Sequence, residues 1–325
     1  MKLDDVHAWF AAQKLPFSWL TQTVPGKRFF QKVRPPAGST LDIAPLEAAI
    51  IVPDVHLGTG NDVFRFNEPE RAARLEHFFD TLGVLRNQLQ GKLDIVQLGD
   101  WYDFWRVGKL TSVAAKTAIE AQYGGIVSRA RDLGVRHCVG NHDAGLVEAA
   151  CRAGIDVEIV RTLGASHNVL CFHGHDTETL ASVAVDGTAE TLGLSILNLV
   201  NSAPLIGIVS SIIQRVIDNS SADPWSDNPK SLPWPNAKVQ GPAGWAAPWT
   251  ARDDATQLGA AISGFELCTK QPVQVVIVGH THRPGISWSP VAGRRVPIVD
   301  AGSWTYGRAE FAVVCADGIG VAALD

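Results

Sequence analysis

The chain has 325 residues, 46% of them hydrophobic and 19% charged, and its 28 basic and 33 acidic side chains leave a net charge of −5. That composition excludes a disordered chain, a collagen-like fibre and a small disulfide scaffold, and it provides for a large buried core. The acidic balance also argues against a nucleic-acid binder, which usually presents a basic face.

In chain order, residues 1–47 hold Pro16, Pro25, Pro35, Pro36 and Pro45 and read as an N-terminal extension with a short helix near 4–14. The opening MKLDDVHAWF carries two aspartates and no long apolar core, so it does not read as a secretory signal. Five scattered cysteines (138, 151, 171, 268 and 315) form no CxxC and sit largely in apolar runs. They read as reduced thiols buried as small hydrophobes, which places the chain in the cytoplasm.

From residue 48 a regular pattern begins. Five short apolar runs of strand character cover 48–52, 93–98, 135–139, 168–172 and 273–278, and each ends in glycine or polar residues. Helical patterns lie between them. In 68–90 the residues Leu75, Phe78, Phe79, Leu82 and Leu85 recur at helical spacing, and 111–133 and 252–270 are also helix-like. Late strands are expected near 296–300 and 310–315. Strands alternating with helices imply a layered α/β core, with ligands just beyond the strand ends.

An insertion at 177–250 breaks the rhythm. Its first part, Leu192 to Ile217, is apolar and helical; its second part, 222–250, is a Pro-rich loop holding Trp225, Trp234, Trp245 and Trp249.

The residues following the five strands carry the chemistry. They are Asp54-Val55-His56, then Gly99-Asp100-Trp101-Tyr102-Asp103, then Gly140-Asn141-His142-Asp143, then His173-Gly174-His175, and finally Gly279-His280-Thr281-His282. Carboxylates, imidazoles and one amide oxygen, without thiolates, suit Mn, Fe or Zn rather than a structural zinc cluster. Two metals held together by a shared carboxylate can clamp both the attacking and the leaving oxygen of a phosphoryl displacement. Any one of these strings alone is an ordinary turn. All five together, in order and at strand ends, are a site.

The ordered set DxH, GDxxD, GNHD, HGH, GHTH resembles the calcineurin-like metallophosphoesterase superfamily over about 48–305. The resemblance implies a four-layer αββα sandwich with the 177–250 insertion as cap or lid. It also implies two divalent or trivalent metal ions (Mn, Fe, Zn or Co). Asp54, His56 and His282 would hold one metal, Asn141, His173 and His280 the other, with Asp100 bridging. His142 would protonate the leaving oxygen or stabilise the transition state. Asp103 would orient it, and the nucleophile would be a metal-bridging hydroxide. His175 either faces substrate or is a loop histidine. Asp143 and Asp176 are expected to cap helices, and His7, His77, His137 and His167 to be structural.

Departures from known subfamilies narrow the substrate. Phe104 stands where protein phosphatases of this superfamily carry a phosphate-binding arginine, which argues against protein substrates; Arg106 is a candidate substitute. The strings GDWYDFW and GHTHRP, and the helices between the fourth and fifth motifs, are distantly similar to bacterial UDP-2,3-diacylglucosamine pyrophosphatases. Those enzymes have an arginine at the position of His142. The expected substrate is a small phosphomonoester, phosphodiester or pyrophosphate, nucleotide- or lipid-linked in one reading.

Asn198, Asn201, Pro204 and Gln214 interrupt the apolar stretch of the insertion. A single membrane span there would also part His173 from His280, which must share a metal. A helical hairpin packed on the core, a dimer contact or a membrane-surface helix remain. The Trp-rich loop reads as a lid, or as an ordered surface loop. From another functional class, the same fold could serve as a metal-bound interaction module. The filled ligand positions rank that below an enzyme.

Overall fold

The computed structural model describes residues 1–24, 27–30, 32–59, 69–104, 110–147, 149–174, 262, 263, 265, 266, 270–280, 282, 284–291, 293–305 and 308–325. The 177–250 insertion, His175, Asp176, Arg106 and most of the expected 252–270 helix lie outside them.

The elements run in the following order. Helix α1 (Leu3–Ala12) leads into four short strands, β1 (Phe17–Trp19), β2 (Thr21–Val24), β3 (Lys27–Phe30) and β4 (Lys32–Val33). Next come β5 (Ala48–Val52), α2 (Pro69–Gln88), β6 (Leu93–Gln97), α3 (Ser112–Gln122), α4 (Gly124–Asp132) and β7 (Arg136–Cys138). After them lie α5 (Ala149–Arg152), β8 (Val157–Glu158), β9 (Val160–Leu163) and β10 (Val169–Phe172). The last part holds β11 (Val275–Val278), β12 (Gly285–Val291), β13 (Arg294–Asp300), β14 (Glu310–Cys315) and β15 (Gly318–Leu324).

Two sheets result. The first has the order β1-β15-β14-β5-β6-β7-β8, with β4 also on β15; the second has the order β12-β13-β11-β10-β9. In the first, β5, β6, β7 and β8 are parallel. In the second, β10, β11 and β13 are parallel and β9 and β12 form antiparallel edges. The N-terminal residues join the first sheet through β1 and β4 on β15.

The sheets stack face to face, and strand periodicity sorts the side chains. Ala49 and Ile51 of β5, with Val96 and Cys138, meet Cys171, Val275, Ile277 and Val299 of the second sheet. Ala48, Ile50 and Val52 point the other way, onto Phe78 and Leu82 of α2 and Phe10 of α1. All five residues of β5 are therefore buried, which explains a continuous apolar run instead of an alternating one. On the far side of the second sheet, Leu170, Val276 and Ile298 pack with Ile262 and Phe265. Burying one such side chain contributes about 1.5–3 kcal/mol.

The helical pattern over 111–133 is two helices in the structure. Thr111 caps α3 by accepting from the Ala114 N–H, and Tyr123 leaves helical geometry (φ −113, ψ 32) before α4 begins. The break falls just before Gly124-Gly125, weak helix formers. Gly125 is also where α4 meets α2, since a Cβ there would run into the Glu76 carboxylate.

Candidate metal centre

Five strand ends build the site. Asp54 and His56 follow β5, Asp100 and Asp103 follow β6, Asn141 and His142 follow β7, His173 follows β10, and His280 and His282 follow β11. Four of these residues, His56, Asp100, His280 and His282, have left-handed backbone (φ 54, 52, 68 and 52). Non-glycine residues rarely adopt it, and such strain collects at functional sites. Glycines provide the close approaches. Gly99 has φ +101, and a Cβ on it would lie 2.6 Å from Gly140 N. A Cβ on Gly140 would overlap Asp100, and one on Gly279 would overlap the Asp54 carboxylate.

The loops are cross-braced by the same residues. Both Asp54 oxygens accept the His280 N–H, at 3.1 and 2.9 Å, which joins the ends of the two sheets. Asp100 Oδ1 accepts the His142 N–H at 2.8 Å, and the Asp100 carbonyl accepts Val55 and His56 N–H at 3.1 and 2.8 Å. Asp100 Oδ2 is left facing His173 Nε2 at 3.3 Å and His56 Nε2 at 3.6 Å.

Electron pairs converge in two places. The Leu98 carbonyl accepts the His173 Nδ1–H at 3.1 Å, so Nε2 is the nitrogen that a metal would take in place of the ring's second proton. That atom faces Asn141 Oδ1 at 2.9 Å and Asp100 Oδ2 at 3.3 Å. In the second place, His56 Nε2 and His282 Nε2 stand 3.2 Å apart, with Asp54 Oδ1 3.3 Å from His282 Nε2. Acceptor facing acceptor is repulsive unless a proton or cation sits between them. Among the described residues, possible ligand atoms within 4.8 Å of one another define three groups: Asp54, His56 and His282; Asp100, His173 and His280; and His56, Asp100 and His142. The donor set of imidazoles, carboxylates and one amide fits borderline transition metals.

The charges respond to burial and to one another. Burial alone would raise the Asp100 carboxyl, but His173, His142 and His56 outweigh it and hold it well below the usual range. Asp54 is also lowered, with burial opposed by His173 and His282. Burial disfavours a charged His173, yet Asp100 and Asp54 raise its pKa to about 10. His56 is lowered to about 3 by burial, aided by His142, so its ring is neutral.

His142 Nδ1 lies 3.0 Å from Asp103 Oδ1, which leaves Nε2 as the other ring nitrogen. His142 also packs edge-on against His56, with ring centroids 4.6 Å apart. Phe104 stacks on Tyr102 at 5.3 Å.

The nine residues singled out at the sequence level are thus neighbours in space. Asp143, expected as a helix cap, does something else. Its buried carboxylate accepts Gly140 N–H at 2.7 Å, Trp101 N–H at 2.8 Å and Tyr102 N–H at 3.3 Å, so it ties two motif loops together. Burial and neighbouring Asp100 push its pKa up to about 7. Sequence reasoning also missed Gln97, Thr305 and Arg308, within hydrogen-bond reach of motif loops or candidate ligands, and Ser303, which bridges to Asp54. For Gln97 a signal existed: an amide following Ile95 and Val96 at the end of β6, shortly before the motif loop. His7, His137 and His167 each meet a hydrogen-bonding partner within the fold, Phe17 O, Gln97 Oε1 and Thr162 Oγ1.

The two stacked sheets and the Asp, His and Asn side chains gathered at their strand ends fit a metal-dependent phosphoesterase. The family model for calcineurin-like phosphoesterases matches residues 49–284, and the chain belongs to that family of hydrolases acting on phosphoric esters, whose members typically bind two metal ions. No curated protein matches the chain.

Proposed function

We propose that the chain hydrolyses a phosphoester or pyrophosphate bond of a small substrate with two metal ions held by the strand-end residues. Asp54, His56 and His282 are assigned to one ion, Asn141, His173 and His280 to the other, and Asp100 to both. The observation that carries this reading is Asp100 Oδ2, which lies between the two clusters of lone pairs, 3.6 Å from His56 Nε2 and 3.3 Å from His173 Nε2. When bound, such a metal pair polarises the phosphoryl oxygens and lowers the pKa of water. Mn or Fe are the ions to try first, since oxygen-rich His/Asp sites accept both.

The protein's own residues divide the remaining work. Asp103 accepts from His142 Nδ1, which fixes the ring and leaves Nε2 for the reaction. His142 then delivers a proton to the leaving oxygen, or donates a hydrogen bond to the phosphoryl group as charge develops. Asp143 keeps the loops bearing Asp100 and His142 in register.

For substrate, a nucleotide- or lipid-linked pyrophosphate is the class to test first. It is supported by the strings GDWYDFW and GHTHRP and by the aromatic Phe104 where a phosphate-binding arginine would stand. The 177–250 insertion is assigned the role of cap, and its apolar part a peripheral contact with membrane or core. Among the described residues no helix is long and apolar enough to cross a membrane. A cytoplasmic location suits the cysteines, none of which forms a disulfide among the described residues.

The test is hydrolysis by Mn- or Fe-loaded protein of UDP-sugar lipids, dinucleotides, bis-aryl and aryl phosphates. Turnover of at least one, abolished by His142→Ala and by chelation, is expected. No turnover of any phosphate ester, with metal bound, would sink the reading and favour an interaction module.

A further inference from the structure

We infer that Thr305, backed by Ser303 and Arg308, is the positioning residue for His282, setting which ring nitrogen that histidine offers and holding its backbone in place. The inference rests on the two-metal reading above and extends it to residues outside the motifs.

The ring of His282 has two working ends. Nε2 faces Asp54 Oδ1 at 3.3 Å and His56 Nε2 at 3.2 Å, inside the candidate centre. Nδ1 lies 3.3 Å from Thr305 Oγ1, and Thr305 Oγ1 lies 2.9 Å from Ser303 Oγ. Both hydroxyl residues are fully buried. A histidine that gives Nε2 to a metal must carry its proton on Nδ1, and that proton needs an acceptor. The Thr305 oxygen supplies it, and its own hydrogen passes on to Ser303. The opposite tautomer would put the proton on Nε2, the atom beside His56 and Asp54 whose lone pair a metal would need.

The backbone is held by the same segment. His282 is left-handed, with φ 52, a costly state for a residue with a Cβ. Arg308 Nη1 donates to the His282 carbonyl at 2.6 Å and stabilises that conformation. Trp304 N–H donates to the Asp54 carbonyl at 2.8 Å, and Ser303 forms a parallel bridge with Asp54. One stretch after β13 therefore refers two ligands, Asp54 and His282, to a common frame.

The test is Mn(II) and Zn(II) titration calorimetry on the metal-stripped full chain, comparing wild type, Thr305→Val, Thr305→Ser and Ser303→Ala, with metal-free melting curves alongside. Thr305→Val should weaken one of the two sites by about 10- to 100-fold and leave the other unchanged. Thr305→Ser, which keeps the hydroxyl, should recover to within about threefold of wild type. Wild-type affinity in Thr305→Val, or equal weakness in Thr305→Ser and Thr305→Val, overturns the proposal. If Thr305→Val does not fold, Ser303→Ala decides it: several-fold weaker binding is expected, and unchanged binding overturns it. Wild-type protein that binds no metal removes the two-metal reading and this proposal together. Normal wild-type uptake with indifferent variants removes only the positioning role.

Discussion

Gln97 and His137 meet 3.3 Å apart beneath the loop that carries Asp100, and the Gln97 amide spends its other bonds on that loop. Its Oε1 accepts the Gly99 N–H at 3.1 Å, while Nε2 donates to the Gly99 carbonyl at 2.5 Å and the Pro53 carbonyl at 3.4 Å. Two neighbouring motif loops, after β5 and after β6, are thus held from below by one side chain. His137 completes the arrangement and packs against Trp101, with ring centroids 5.2 Å apart.

This relationship makes the fold sensitive to acid. Burial, aided by Arg161, lowers the His137 pKa from 6.5 to about 3. The native state therefore resists a proton that the unfolded chain accepts. The corresponding stability is whole above pH 6.5 and is lost as pH falls toward about 3. Urea unfolding of wild type and His137→Asn at fixed metal should show the wild-type free energy falling more steeply below pH 6.5, by up to about 1.4 kcal/mol per pH unit. Parallel pH profiles would contradict this.

The Asp143 carboxylate makes a different demand. Asp143→Ala leaves the N–H groups of Gly140, Trp101 and Tyr102 without their acceptor in a buried setting. Each unsatisfied group costs about 1–3 kcal/mol, so a loss of several kcal/mol in unfolding free energy is expected, together with lost activity. A melting temperature within a degree or two of wild type would argue that these loops hold themselves.

His142 and Asp103 should separate by magnitude. Removing a positioned proton donor lowers kcat by about 10²- to 10⁴-fold, the expectation for His142→Ala. Asp103→Asn, which spoils only the orientation of that ring, should lower it by about 10- to 100-fold. Neither change should alter metal content measured by elemental analysis, because neither residue is assigned as a ligand. Loss of a metal from His142→Ala would instead make His142 part of the His56 and Asp100 group.

Metal uptake should depend on pH with a predictable sign. In the metal-free chain Asp100 and Asp54 raise His173 to about 10 against the cost of burial, so this ring is protonated at neutral pH. A metal taking Nε2 must displace that proton, so affinity rises with pH up to about 10. Calorimetry in buffers of different ionisation enthalpy should find about one proton released at that site near neutrality. Adding metal should also raise the melting temperature, since the ions bind the folded chain.

Much of the fold and site was legible in the residues. The strands β5, β10 and β11 were readable because strands covered on both faces become unbroken apolar runs. The helix α2 showed in the spacing of Leu75, Phe78 and Leu82. The candidate ligand residues stood out because metal chemistry admits few side chains and strand ends impose an order on them. By contrast, β15 has the sequence GIGVAAL, whose small residues carry no strand alternation, and only pairing with β14, β1 and β4 makes it a strand.

By itself, then, the sequence determined an α/β phosphoesterase core and the side chains able to hold metal, because periodicity and ligand chemistry are local in the chain. Only the tertiary structure decided what holds those ligands in place. Asp143 turned from an expected cap into a clamp, Gln97 into a brace, and Thr305 into a partner of His282 some 23 positions away. Hydroxyls, amides and lone carboxylates are common residues with no spacing of their own. Their roles are set by which loops packing brings within 3.5 Å, and that is a property of the folded sheets.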